Sequence, residues 1–147
     1  MIIREIIQAK GSHVISMWPE HTLGEAIRRC DESNVSSIVI TSHAGHTIGI
    51  LTDRLALKGL ARYGAAAMNR LVTEFMLSPA PTCGLGDSVT EIMHRMTYDR
   101  FRHAVVVENG TVVGIVSIGD LVKAKLRDAD LESRILRERA LSRLAAE

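Results

Sequence analysis

Ser117 and Asp120 stand three residues apart where the β-branched run Val112-Val113-Gly114-Ile115-Val116 gives way to a helical pattern. A hydroxyl followed three residues later by an acid can satisfy free amide donors at a helix start, each side chain bonding the other's backbone. Arg102-His103, just before the preceding strand, add a planar fork of donors and a titratable imidazole. An earlier stretch, Thr52-Asp53-Arg54-Leu55, keeps the hydroxyl and carries a guanidinium, but has Leu55 where the later stretch has Asp120. The chemistry on offer is binding. No nucleophile-base-orienter set, paired acid motif or Gly-rich phosphate loop occurs at an interpretable spacing, so an enzyme is not expected. His43-x-x-His46 lies in a polar loop without an acidic or thiol partner, and no metal is expected there. Cys30 and Cys83 lack metal-ligand spacing and read as reduced, packed thiols.

A duplicated unit must position these groups. Thr22-Leu23-Gly24-Glu25 matches Ser88-Val89-Thr90-Glu91 at an offset of 66, and Gly49-Ile50 matches Gly114-Ile115 at 65. The missing residue falls in the hairpin loop, where His43 to Thr47 is the longer version and Asn109-Gly110 the two-residue primed-turn signal. Each copy opens on a capping-box signature. Leu23, Ala26, Ile27 and Cys30 then share a helical face in the first copy, as Val89, Ile92, Met93 and Met96 do in the second. Two β-branched strands follow, and then a helix, predicted from Asp53 to about Tyr63 and from Ile118 to about Leu126. With short extended pieces at Val14 to Met17 and Pro81 to Cys83, each repeat reads β-α-β-β-α. The fold class is α+β with pseudo-twofold symmetry.

One repeat alone would bury too little surface, whereas 147 residues at 46% hydrophobic content support a substantial shared core. Eighteen Lys and Arg against 17 Asp and Glu leave a net charge of +1, too little field to steer the protein to nucleic acid. No apolar run approaches the roughly 20 residues of a membrane span, and no signal-peptide pattern opens the chain, so a soluble cytoplasmic protein is expected. Ile2, Ile3, Ile6 and Ile7 form an apolar stripe on a short N-terminal helix.

The duplication, the hairpin ending in Gly114-Ile115-Val116-Ser117-Ile118-Gly119-Asp120-Leu121-Val122-Lys123, and Arg102-His103 together resemble the paired cystathionine-β-synthase-type domain, or CBS domain. The resemblance covers most of residues 1 to 127. It implies two repeats packed through their sheets into a Bateman module, which in that family commonly pairs into a disc-shaped homodimer and senses adenosine-containing ligands. It also implies that Ser117 contacts phosphate, that Asp120 contacts the ribose hydroxyls, and that Arg102 and His103 add donors on the phosphate side. A helix N-terminus suits phosphate, and an ionised carboxylate can accept two vicinal hydroxyl protons. The purine walls it assigns are Thr82, Cys83, Ala104 and Val116. The first copy departs from the pattern at Leu55, and Arg102-His103 is matched there by Ser36-Ser37. One site dominated by the second copy is therefore expected, with Thr52 and Arg54 reaching the phosphates across the pseudo-twofold axis; Asp53 shifts the acid of the first copy to another helix face, which leaves a rearranged second site as the alternative.

The domain boundaries expected are 1–66 for the N-terminal helix and first repeat, 67–127 for a linker helix and second repeat, and 128–147 for an amphipathic tail carrying Leu131, Ile135, Leu141 and Leu144. The implied function is a stand-alone regulatory module that binds an adenine nucleotide such as AMP, ADP, ATP or NAD(H), with no catalytic cofactor. It would signal through dimer geometry to an unidentified effector protein. The alternative is a dimeric scaffold whose nucleotide site is vestigial.

Overall fold

A computed structural model describes residues 1–146. The elements run α1 (Ile3–Lys10), β1 (Ser16–Met17), α2 (Leu23–Ser33), β2 (Ser37–Thr41), β3 (Thr47–Thr52), α3 (Asp53–Tyr63), β4 (Thr82–Cys83), α4 (Val89–Asp99), β5 (His103–Glu108), β6 (Thr111–Ser117) and α5 (Ile118–Ala146). The architecture is the α+β fold read from the sequence, with a β-α-β-β-α repeat occurring twice.

Local chemistry explains the matching boundaries. Thr22 caps α2 by accepting the Glu25 amide at 3.2 Å, and Ser88 caps α4 by accepting the Glu91 amide at 3.3 Å. Both helices end on a left-handed residue, Asn34 at φ 52° and Arg100 at φ 57°. In each sheet the short first strand lies parallel to the second, which pairs antiparallel with the third. The hairpin registers put Ser37 opposite Thr52 and His103 opposite Ser117. Each hydroxyl that starts a helix is thus a cross-strand neighbour of the residue opening the preceding strand.

Three apolar clusters hold the molecule together. One fills the first repeat around Leu23, Ile38, Ile40 and Leu51, and another fills the second around Val89, Ile92, Val106, Val116 and Leu121. The third joins the two sheets face to face through Val39, Ile50, Val105 and Ile115. Strand alternation separates these roles, since neighbouring residues point to opposite faces.

The leading segment of each repeat crosses to the other. Ile3, Ile6 and Ile7 of α1, grouped with the first repeat by the boundary at residue 66, are buried in the core of the second. In the same way Met76 and Leu77, ahead of β4, lie against β3 of the first repeat, where the Ile50 and Leu77 backbones exchange hydrogen bonds of 3.0 and 2.9 Å. That exchange holds the region extended at Leu77, and what precedes it is two 3₁₀ segments, Gly64–Asn69 and Val72–Glu74, where a linker helix was expected. Gly49 and Gly114 mark the two crossings. A Cβ on Gly49 would sit 2.7 Å from the Leu77 carbonyl oxygen, and one on Gly114 would sit 2.6 Å from Ile7 Cδ1.

The second expected break is also missing. The helix begun at Ile118 continues without interruption to Ala146, because nothing between Asp120 and Ala146 is Gly or Pro. Glu147, the last residue of the expected tail, lies outside the described residues. Among the described residues no helix is long and apolar enough to cross a membrane.

Candidate functional site

Two clefts open between the repeats, related by the pseudo-twofold axis. The first encloses about 250 Å³ and is lined by Ser117, Ile115 and His103 of the second repeat and by Val14, Ile15, Ser36 and Ser37 of the first, with Lys10 and His13 at its edge. The second encloses about 420 Å³ between Thr52, Arg54, Leu55 and Lys58 of the first repeat and the Asp99 to His103 stretch of the second, floored by Ile50 and Leu77. His103 lines both. Its Nε2 lies 3.2 Å from Ser36 Oγ, so this contact ties the repeats together at the boundary of the clefts.

At the first cleft, Ser117 and Asp120 form a reciprocal cap. The Asp120 amide donates to Ser117 Oγ at 3.2 Å, and the Ser117 amide donates to Asp120 Oδ2 at 2.8 Å. The same carboxylate oxygen accepts from Lys10 Nζ at 2.7 Å, and Lys10 also donates to the Ile115 carbonyl at 2.9 Å. Lys10 stands between the cleft and a groove of about 440 Å³ separating α1 from α5, and Asp120 opens onto that groove. Burial acts to raise the Asp120 carboxyl, but the Lys10 ammonium and Ser117 amide outweigh it and hold the group below the usual carboxylate range. Burial pushes the His103 imidazole below its ordinary value; Asp53 and Asp120 oppose this, while Lys10 and Arg102 reinforce it. Burial thus favours the neutral form of the His103 imidazole.

Ser117 and His103 line the first cleft together, whereas Asp120, bonded to Ser117, lines the α1–α5 groove beside it. Arg102, Thr52 and Arg54 gather at the second cleft, beside Lys58, Arg100 and Phe101, which the sequence reading missed. Thr82, Cys83, Ala104 and Val116 line neither cleft. Cys83, Ala104 and Val116 are packed in the helix-facing core of the second repeat, and Thr82 is exposed, its carbonyl accepting from Arg95 Nη1 at 3.1 Å. Strand alternation is the reason for Val116: Ile115 and Ser117 face the cleft and Val116 faces away. The strand wall comes instead from the opposite repeat, through Val14 and Ile15. The offset of 66 maps Ile15 onto Pro81, but one repeat read alone cannot show that the leading segments cross.

Cys83 is a buried thiol pushed up to about 11, chiefly by burial, and Cys30 is raised for the same main reason; neither is a poised nucleophile. His43 Nε2 lies 3.1 Å from the Glu20 carboxylate, an acidic partner that the sequence reading did not give it, and neither residue lines a cleft.

The family model for the CBS domain matches residues 3–62 and 72–127. Among solved structures, a CBS-domain containing protein from Agrobacterium tumefaciens superposes with a TM-score of 0.82 at 34% identity, covering 85% of this chain and 99% of that one. The CBS domain pair of the protein MJ0100, in complex with 5′-methylthioadenosine and S-adenosyl-L-methionine, gives 0.77 at 20% identity over 87% and 98% of the two chains. A CBS domain protein from Pyrobaculum aerophilum complexed with AMP gives 0.72 at 23% identity over 82% and 89%.

Proposed function

The chain belongs to the CBS-domain family, and from that membership we infer that it is a regulatory module, not an enzyme, which takes an adenosine-containing ligand in the cleft at Ser117 and passes its occupancy to a partner protein. The observation that carries this reading is the reciprocal Ser117–Asp120 cap at the edge of a cleft between the repeats. Two proteins of the same fold are complexed with AMP and with S-adenosyl-L-methionine and 5′-methylthioadenosine, which supports the ligand class.

The residues divide the work as follows. Val14, Ile15 and Ile115 offer apolar walls for a purine. Asp120 accepts the ribose hydroxyls, at Oδ1 and, where a second hydroxyl takes Oδ2, in competition with Lys10. The Lys10 ammonium stands at the cleft edge as a donor for a phosphate. Ser117 and the amides that open α5 add donors. With the ribose held at Asp120, a longer phosphate chain is directed past His103, which lines both clefts, toward Arg102 and Arg54 in the second.

Titration calorimetry with AMP, ATP, NADH and S-adenosylmethionine tests the reading. Heat and a thermal shift with at least one are expected, and Asp120→Ala should weaken that binding by about 1.5–3 kcal/mol as a charge-assisted contact is lost. No response to any of the four overturns it. That outcome would favour the scaffold reading, which draws on two observations: Leu55 in place of an acid, and Lys10 already holding Asp120.

A further inference from the structure

From Leu126 to Ala146 every residue of α5 is exposed, although the helix runs 29 residues without a break, about 43 Å at 1.5 Å per residue. In proteins most of a helix's stability comes from packing one of its faces against a neighbour. One stripe of large and small residues suits such packing, with Leu131, Ile135, Leu141 and Leu144 lying off it. Val122, Leu126, Ala129, Ser133, Leu136 and Ala140 recur at alternating spacings of four and three, the a/d pattern of a coiled-coil seam, and Leu126 and Leu136 are 60% and 64% exposed.

We propose that this seam pairs with the same seam of a second copy of the chain, so that two α5 helices form a short coiled coil projecting beyond the paired repeats. Flanking charges identify the partner. Lys125, Glu132 and Arg139 lie seven apart along one side of the seam, and Lys123, Asp130 and Arg137 lie seven apart along the other. In a parallel pair Lys125 faces the partner's Asp130 and Glu132 faces the partner's Arg137. In an antiparallel pair centred near Ser133, Asp130 faces the partner's Arg137 and Glu132 faces the partner's Arg139. Opposite signs meet in both arrangements, so the sequence is complementary to itself. The seam starts at Val122, on the folded body, and this pairing stands whether or not the clefts bind a nucleotide.

The test uses the full chain with Ser133→Cys, a position near the centre of the seam in either orientation. Oxidation should give a covalent dimer, while the parent chain, with Cys30 and Cys83 only, should not. In the Ser133→Cys background, Asp130→Arg with Glu132→Arg makes the flanks wholly basic, and Lys123→Glu and Lys125→Glu with Arg137→Glu and Arg139→Glu makes them wholly acidic. Each alone should lose crosslinking at least tenfold, and an equimolar mixture should recover it as the mixed dimer. A Ser133→Cys chain that does not crosslink, or crosslinking indifferent to these reversals, overturns the pairing. Calorimetry with AMP on the same charge variants reads the cleft separately, so failure of one proposal is visible without the other.

Discussion

With Lys10 Nζ 2.7 Å from Asp120 Oδ2, a sugar that takes both carboxylate oxygens must displace an ammonium, and that ammonium loses its anion unless the ligand brings one. On the function proposed, the cleft should favour phosphorylated nucleosides over neutral ones. Lys10→Met should raise adenosine affinity roughly twofold to fivefold, the equivalent of the up to about 1 kcal/mol of a half-exposed pair, while weakening the preference for AMP. Calorimetry with both ligands on both proteins measures this, and an unchanged AMP-to-adenosine ratio would rule out the gate. His103 provides a pH signature. Its folded pKa is lowered, chiefly by burial, so the unfolded chain binds the proton more readily and the contribution is fully present above about pH 6.5. It is lost as pH falls through the lower folded value. Urea midpoints should rise between pH 5 and 7, and His103→Gln should flatten that rise; parallel curves would contradict the assignment. Ser117 and Asp120 were legible in the sequence because a cap is a local signal. Lys10 was not, because it lies 110 residues from Asp120 and nothing local pairs them.

Among the elements, the crossings of α1 and of the segment ahead of β4 decide which walls each cleft receives. Both rest on a glycine, but with different partners. At Gly49 the close neighbour is the Leu77 carbonyl oxygen at 2.7 Å, fixed by its own backbone hydrogen bonds to Ile50, whereas at Gly114 it is the terminal methyl of Ile7. Gly49→Ala must shift backbone and should cost about 1–3 kcal/mol, the range for overpacking a tight contact. Gly114→Ala asks only that Ile7 rotate, and should cost less. Thermal melts of the two variants check the order, and equal losses would mean that the linker gives way as easily as a side chain. Strands, caps and the hairpin offset could be read from spacing and residue type alone, since each is fixed within a few residues. The crossings could not, because an apolar stripe such as Ile3, Ile6 and Ile7 shows that a helix is covered without saying by which repeat. The linker and α5 differ from expectation for similar reasons: long-range pairing with Ile50 holds Leu77 extended, and nothing local stops α5 at Leu126.

At the scale of the whole molecule, pseudo-symmetry builds two clefts of one design and the sequence gives them different chemistry. Thr52 caps α3 by accepting the Leu55 amide at 3.3 Å, as Ser117 accepts the Asp120 amide at 3.2 Å, so the two helix starts share their backbone geometry. What differs is the side chain at the third position and the cations around it: Arg54, Lys58, Arg100 and Arg102 border the second cleft, where no acid stands at the Asp120-equivalent position. If a carboxylate at that position is what holds the sugar, the wild-type chain takes one nucleoside, and Leu55→Asp should admit a second. The exchange removes a half-buried Leu from the edge of the first core, which lowers stability, but an acid in the first turn of a helix is favourable and offsets part of the loss. Calorimetry with AMP should change from one site per chain to two, with Asp120→Ala in the same background returning it to one. A stoichiometry that stays at one after Leu55→Asp would show that the acid is not what distinguishes the clefts, and would leave the crossing segments, Val14 and Ile15 on one side and Leu77 on the other, as the features that select where a ligand sits.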